Sequence, residues 1–376
     1  MTYHSMTGDA SFGTLDCGFD HGTALFKHGD MPPDNADRKE VRELMAPLAP
    51  TTDTLKIALE MAGRAPSIHN TQPWRWRIRD HAVELWADPS RHLASSDPTQ
   101  GKLIVSCGAA LHHLRVALAV LGWSALVTHL PDPDEPDHLA TIEFEPHEPT
   151  QADIDLGAAL LQRHTDRRGF RSWEIPSGHI KTISTRAAKF GAVVRHVPDP
   201  LRLRLVRPFQ DAVRRHAEDS EYQHELAEWS GGRRAEDGVP AANVPQPHQV
   251  DQIPARVFAD AELIDELDQP DAAEWVVICT PYDDRRSQLR AGETTSALLL
   301  EATRLGLSSG LQTEPLGLPE LRDDIRSAVL YDCAFPQAMI RIGWVPTGSA
   351  PLAPTPRRPV ESMIDAYPVQ DNRLRV

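Results

Sequence analysis

The chain has few cysteines and a shortage of positive charge. Its 376 residues include four cysteines, Cys17, Cys107, Cys279 and Cys333, which are widely spaced and form no CxxC pair. Lys+Arg 39 against Asp+Glu 54 gives a formal net charge of −15. This balance disfavours a basic surface for nucleic acid or for an anionic membrane. We therefore expect reduced thiols, a cytoplasmic protein, and neither a nucleic-acid nor a membrane partner.

Long uninterrupted apolar runs and several catalytic fingerprints are also missing. The stretch from Leu103 to Val127 contains His112, His113 and Arg115, which predicts a buried helix rather than a membrane span. No charged segment followed by an apolar core and a cleavage site opens the chain, so secretion is not expected. The sequence has no GxGxxG, GxxxxGK[ST] or HExxH motif. Rossmann, P-loop and zincin sites therefore lack their signatures.

Three segments have the composition of loops or tails. Residues 1–40 are rich in Gly, Asp and His without periodicity, which predicts a disordered leader, and their histidines lack metal-ligand spacing. The segment 207–255 is polar and helical in its first half and broken by prolines in its second. A loop of this length is usually functional or disordered, so we predict a lid-like flap and keep disorder as the alternative. The Pro-rich residues 346–368 are expected to run extended along the surface.

A helix followed by two strands opens the packed region, which we expect to start near Val41. Capping groups at residues 51–53 predict a helix from Thr54 with one apolar face, and Pro66 ends it. The alternation of residues 74–79 and the short apolar segment 83–86 predict a pair of strands. Trp74 and Trp76 are interpreted as core aromatics.

The second half of the chain repeats the first. Gly108 to Trp123 matches Gly292 to Leu307 without a gap, since 292 − 108 = 184 and 306 − 122 = 184. Both segments have a helical apolar stripe and end at a glycine suited to a left-handed C-cap. A helix at 55–56 and strands at 83–88 and 141–144 have counterparts at 180–181, 276–282 and 339–342. The order of elements predicts a duplicated unit, with repeats at 41–150 and 151–364 and a tail at 365–376.

Two polar segments could form a binding site. The first is Ala-Pro-Ser-Ile-His-Asn-Thr-Gln-Pro-Trp at residues 65–74, whose Ser67, Asn70 and Gln72 could hydrogen bond a planar heterocycle. Local turn chemistry is the alternative for these polar groups, and His69 alone is more typical of a packed side chain.

The second segment is Arg-His-Thr-Asp-Arg-Arg-Gly-Phe at residues 163–170. Arginines at 163 and 167 on either side of Thr165 could hold a phosphate and the electron-rich edge of a flavin. The alternative is a solvated helix terminus whose cations complement the dipole of a helix over 153–161.

Taken together, these segments resemble the nitroreductase-like FMN-binding family, and their order is most similar to its Acg-like branch. The other matching features are the helix ending near Leu307, Ile-Gly-Trp-Val-Pro at 342–346, and the arginines at 357 and 358. The resemblance implies an α+β fold with α/β/α layers, built here as a pseudo-dimer within one chain. It also implies one competent FMN pocket and one vestigial pocket.

The resemblance implies a flavoprotein that passes hydride from NAD(P)H through flavin N5 to a nitro- or quinone-like small molecule. An FMN storage protein without turnover is the alternative, and a degenerate pseudo-dimer that binds nothing is a third. No catalytic acid or base is implied, and the intramolecular pairing favours a monomer. Gln312, Thr313 and Glu314 are candidates for the backbone near N5. The implied cofactor-binding residues are Ser67, Ile68, His69, Asn70, Gln72, Arg163, Thr165, Arg167, Arg357 and Arg358.

Overall fold

The computed structural model describes residues 49–231, 234–246, 252–258, 260–265 and 271–365. The predicted leader at 1–40, the expected start of packing near Val41, and all but the first residue of the tail at 365–376 lie outside these ranges. The described residues form helices and two four-stranded antiparallel sheets. This is the α+β class that the sequence predicts.

The first sheet and its helices come from residues 52–162. Its elements, in chain order, are α1 Thr52–Ala62, β1 Trp74–Ile78, β2 Ala82–Ala87, α2 Gly101–Val120, β3 Trp123–His129, β4 His138–Pro146 and α3 Gln151–Gln162. The strand order in this sheet is β1-β2-β4-β3.

The second sheet comes from residues 177–343, with a short helix following it. The elements are α4 Ser177–Ala187, β5 Val193–Val197, α5 Asp199–Arg202, α6 Val206–Glu218, α7 Ser220–Glu228, β6 Glu274–Thr280, α8 Arg285–Arg304, β7 Ser308–Leu311, α9 Pro319–Leu330, β8 Phe335–Gly343 and α10 Val360–Met363. The strand order is β5-β6-β8-β7.

The two sheets have the same topology. In each, the first and second strands pair, the third strand lies at the far edge, and the fourth lies between the second and third. The long helix falls between the second and third strands in both, and α2 and α8 are both 20 residues long and start 184 positions apart. This repetition is what the predicted duplication would produce.

The central helices pack against each other through glycines. A Cβ on Gly108 would lie 2.0 Å from the Leu289 carbonyl oxygen, and a Cβ on Gly292 would lie 2.1 Å from that of Val105. Only glycine permits so close a backbone approach. Helix α2 also packs on the first sheet, and α8 on the second.

The sheets differ in what covers them. Strand β2 alternates between buried and half-buried residues, as a strand with one packed face does. Strands β6 and β8 are buried at nearly every position. The second face of their sheet packs against α6 and α9, through contacts such as Trp275 on Phe209.

The predicted local features agree with the structure, with shifted ends. Helix α1 begins at Thr52, not Thr54, because the Thr51 hydroxyl caps it by accepting from the Thr54 amide. The central helices start seven residues before the matched glycines, at Gly101 and Arg285. Gly122 and Gly306 follow them with φ of 87° and 78°, so the left-handed C-caps are confirmed.

Helix α2 has the length and mean hydropathy of a membrane span. Its hydropathy is 1.7, but 78% of its apolar window is buried inside the protein. Its apolar side chains form the core between the first sheet and α8, as expected for a buried helix. Trp74 and Trp76 are fully buried in the same core, and Cys107, Cys279 and Cys333 are free thiols.

The polar segment predicted at 207–255 is part of a longer excursion. Strands β1 and β2 are joined by a tight turn, whereas their counterparts β5 and β6 are separated by residues 198–273. The described part of this excursion contains α5, α6 and α7 and a 3₁₀ turn at Ala241–Asn243. We call it the insertion.

Candidate functional site

The turn after α1 is strained. His69, Asn70 and Gln72 have φ of 44°, 57° and 50°, in the left-handed region that non-glycine residues seldom adopt. Hydrogen bonds hold it there: the Ile68 amide donates to Ser106 Oγ over 3.1 Å and the Gln72 amide to Ser67 Oγ over 3.0 Å. Such strain is concentrated at functional sites.

The side chains of Asn70 and Gln72 turn away from the cavity described below. Asn70 Nδ2 donates to the carbonyl oxygens of Gly238 and Pro356, each over 3.0 Å. Gln72 Nε2 donates to Glu236, and its Oε1 accepts from the Arg358 amide. These two side chains therefore anchor the insertion and the C-terminal segment to the turn.

The arginine-rich segment alternates between two environments. Asp166 and Arg168 form a buried ion pair at 2.8 Å, and Arg168 also donates to the Ala350 carbonyl. Thr165 and Arg167 line the cavity instead. Arg163 is 7% exposed, so the segment is not the solvated helix terminus that was the alternative.

A cavity of about 300 Å³ lies between the two halves of the chain. It brings the first predicted segment, through Ser67, Ile68 and His69, against the second, through Thr165 and Arg167. Its other described lining residues include members of α2, α8, β6 and β8, the strand end at 311–314, and the insertion at Val213, 244–246 and 253–258. The two segments therefore share one cavity.

The cavity wall carries several cationic side chains. Burial, followed by the charge of nearby Arg256, lowers the pKa of Lys102 to about 7 and that of Arg167 to about 10. Burial, followed by the charges of Arg256 and Lys102, holds the pKa of His69 well below its ordinary 6.5. His69 is therefore neutral at neutral pH, and its Nε2 accepts a hydrogen bond from Arg256.

Arg163 and Arg357 form a second group of cations, and neither of them lines the cavity. Arg163 Nη2 and Arg357 Nη2 both donate to the carbonyl oxygen of Arg64, over 3.3 and 3.1 Å. Burial and the charge of Arg64 lower the pKa of Arg163 to about 10, and burial and the charges of Arg163 and Arg64 lower the pKa of Arg357 to about 9. Arg163 Nε and Nη1 and Arg357 Nε are buried and find no hydrogen-bond partner among the described residues. Unpaired buried donors of this kind are suited to an anion.

Arg358 is placed differently from Arg357. Its Nη1 donates to the Gln72 carbonyl over 3.1 Å and its Nη2 to the Ser362 carbonyl over 2.8 Å. It therefore fastens the C-terminal segment to the strained turn. Of the ten predicted binding residues, five line the cavity, Arg163 and Arg357 form the second group of cations, and Asn70, Gln72 and Arg358 hold the turn in place.

The 184-residue shift relates two cavity residues to an ion-paired glutamate and its histidine partner. Ala109 and Thr313 line the cavity, and the shift relates them to Glu293 and His129. Glu293 is 1% exposed, and its carboxylate contacts His129 Nε2 at 2.7 Å and Arg115 Nε at 3.0 Å. An ion-paired glutamate therefore stands at the position that corresponds to a cavity alanine, and the vestigial second pocket stays a prediction.

The sequence analysis missed several cavity residues. Lys102 is the lone lysine at the start of an apolar helix, and its isolation was an available signal. Arg256 and Phe258 come from the insertion, where no periodicity places them. Arg167 lies 5.1 Å from the Phe258 ring centroid and bonds the Asn243 carbonyl, so the insertion packs on the predicted arginine.

Comparisons with known proteins agree with this geometry. No family model matches the chain. The chain is 44% identical over 319 residues to a Mycobacterium tuberculosis protein named "Putative NAD(P)H nitroreductase Rv3131", covering 84% of this chain and 92% of that protein. It is 34% identical over 321 residues to the "Putative NAD(P)H nitroreductase acg" of the same organism, covering 83% and 96%.

Solved structures give weaker matches. A protein from Anabaena variabilis described as a "putative nitroreductase" aligns with a TM-score of 0.44 and 10% identity, over 80% of this chain and 90% of that one. The FMN-dependent nitroreductase NfnB from Mycobacterium smegmatis, in complex with NADPH, aligns at 0.36 and 16%, over 57% and 99%. The assignment rests on the sequence matches, and by these the chain belongs to the Acg-like branch of the nitroreductase-like family.

Proposed function

We propose that this chain binds one FMN between its two halves and acts as an NAD(P)H-dependent oxidoreductase of the nitroreductase type. The observation that carries the proposal is the single cavity shared by the strained turn and the arginine-rich segment. The mycobacterial relatives that span most of the chain and are named NAD(P)H nitroreductases support it.

The described residues fit the phosphate of FMN. Arg163 is buried and Arg357 is half-buried, and both carry buried N–H donors without a partner among the described residues. No described carboxylate forms an ion pair with either. A bound dianion would accept those donors and offset the repulsion that lowers both pKa values. Thr165, which lines the cavity, links this pair to the space for the ring.

The cavity wall fits the flavin ring. Lys102 and Arg167 supply positive charge, and FMN when bound supplies hydride transfer, which such charges favour by stabilising the anionic reduced ring. Ser67 and Ile68 lie in a backbone turn that hydrogen bonds hold in place, and segment 311–314 is a second stretch of backbone that lines the cavity. The chain's contribution is therefore binding, orientation and electrostatics.

Storage of FMN without turnover is the second candidate. It is favoured by the insertion, whose residues 253–258 line the cavity and contact both His69 and Arg167. A segment packed this way restricts the access of a nicotinamide to the ring. The intramolecular site also supports a monomeric protein, and we extend the proposal to that state and to a cytoplasmic location.

Absorption spectroscopy separates these possibilities. We expect the purified protein to show a flavin spectrum, and anaerobic NADPH to bleach it. Bleaching by dithionite but not by NADPH or NADH indicates storage. A colourless protein that does not take up added FMN contradicts both candidates.

A further inference from the structure

One buried carboxylate on the cavity wall has an unsatisfied oxygen. Glu314 is 3% exposed, and it is the only Asp or Glu among the described lining residues. Its Oε1 lies 3.0 Å from His216 Nδ1, and its Oε2 has no hydrogen-bond partner in the described part of the chain. An unpaired buried acceptor costs free energy, so a donor on a bound molecule is expected to complete it.

His216 is fixed in position by the insertion. It belongs to α6, is 4% exposed, and stacks on Tyr222 with ring centroids 3.8 Å apart and planes 2° apart. Because the imidazole cannot turn, it holds Oε1 and leaves Oε2 available. The other charged or titratable groups around this pair are Lys102, His69, Arg256, Tyr222, Glu225 and Asp219.

We propose that Glu314, held by His216, hydrogen bonds the substrate oxygen that becomes a hydroxyl when the substrate is reduced in this cavity. Glu314 also exchanges with this oxygen the proton that accompanies the hydride. This inference rests on the proposed function. Reduction of a quinone to a hydroquinone takes up two electrons and two protons. The hydride brings both electrons and one proton. The second proton comes from water, is taken up by Glu314 Oε2 and passes from it to the quinone oxygen.

The neighbouring groups favour this pair as the proton donor. His69 is neutral at neutral pH because its pKa is lowered, so it has no acidic proton to give there. Lys102 is the competing proton donor, because its pKa is lowered to about 7. However, its Nζ donates to the Ser96 carbonyl over 2.7 Å and packs against Gly317. Glu314 is thus the carboxylate among the described lining residues with a free oxygen for a hydroxyl.

A ligand whose colour reports its protonation tests the hydrogen bond without turnover. 4-Nitrophenol is yellow only as the phenolate. With oxidised flavin in place, the native protein is expected to bind the neutral phenol. Glu314→Gln removes the negative charge of this carboxylate, so the variant is expected to bind the phenolate next to the cationic side chains of the cavity wall. Glu320→Gln, on the exposed face of α9, should behave as native. Binding of the same form by native and Glu314→Gln, or no binding to the native protein, contradicts the inference.

The pH profile of reoxidation tests the proton transfer. In stopped flow, reoxidation of the dithionite-reduced protein by 1,4-benzoquinone is expected to be about a hundredfold slower in Glu314→Gln and to lose its ionisation step. A step that persists in Glu314→Gln but disappears in Lys102→Met assigns the proton to Lys102 instead. Failure of the proposed function would be seen separately, as the absence of a flavin spectrum in the native protein.

Discussion

Gly108 and Gly292 contact each other where α2 crosses α8. A Cβ built on Gly292 would lie 2.7 Å from the Gly108 Cα, and one built on Gly108 would lie 2.9 Å from the Gly292 Cα. The same 184-residue shift joins His112 Nδ1 to Ser296 Oγ at 2.7 Å. In a two-fold symmetric dimer, only residues on the axis contact their own equivalents. These contacts are what a pseudo-two-fold axis through the central helices, beside the proposed flavin site, would produce.

The glycine crossing gives the first prediction. Gly108→Ala places a methyl group against the Leu289 carbonyl and forces the helices apart, which is expected to lower the free energy of unfolding by about 1–3 kcal/mol. Urea denaturation of the apoprotein measures this. Gly178→Ala is the control, because a Cβ there meets nothing within 4 Å, and it should be neutral or slightly stabilising. Equal losses in the two variants would contradict the close packing.

Ser296 gives the second prediction. Its hydroxyl lies 2.7 Å from Nδ1 of both His112 and His113, and both imidazoles are buried. Ser296→Ala leaves these nitrogens without this partner and is expected to cost about 1–3 kcal/mol. Thermal and urea unfolding measure the change, with the exposed Ser327→Ala as the control. An unchanged midpoint for Ser296→Ala would show that this hydroxyl is not structural.

The third prediction concerns the phosphate pair. Arg163→Ala or Arg357→Ala removes a charged donor to the proposed phosphate and is expected to weaken FMN binding by about 1–3 kcal/mol. Equilibrium titration of the apoprotein by flavin fluorescence measures the affinity. Arg207→Ala, which removes a largely exposed arginine, is the control. If both variants retain full flavin, the assignment of this pair is wrong.

The fourth prediction is a pH dependence of stability. Burial lowers the pKa of Lys102 from its ordinary 10.5 to about 7, so between these values the unfolded chain binds more protons than the folded chain. The destabilising contribution of Lys102 is therefore complete below pH 7 and fades as the pH rises towards 10.5. Lys102→Met should stabilise the apoprotein at about pH 6, by an amount on the order of a few kcal/mol, and by less at about pH 9.

Urea unfolding at both pH values checks this prediction. The exposed Lys56→Met is the control, and it should not change the pH dependence. If the free energy of unfolding of Lys102→Met differed from that of the native protein by the same amount at both pH values, the pKa of Lys102 would not be lowered in the folded protein.

The repeated elements could be predicted because they are locally encoded. The recurring Gly and Leu positions of α2 and α8 keep one spacing, and the glycines at 122 and 306 mark both helix ends. The starts of these helices were missed. Gln100 adopts φ of 61° without a side-chain cap, whereas Asp284 does cap α8 by accepting from the Ser287 amide, a signal the sequence contained.

The candidate site could be predicted only in part. The two binding segments are recognisable as motifs, but the roles of their side chains depend on contacts over long sequence distances. Asn70 bonds Gly238 and Pro356, and Glu314 meets His216 across 98 positions. No local pattern encodes such pairs. The insertion contributes Arg256 and Phe258 for the same reason.

The stoichiometry of flavin binding tests the central claim most directly. Apoprotein titrated with FMN, with the mass of the complex measured by sedimentation, should bind one FMN per chain while it remains a monomer. Two FMN per chain, or binding only by a dimer, would contradict a single site built between the two halves of one polypeptide.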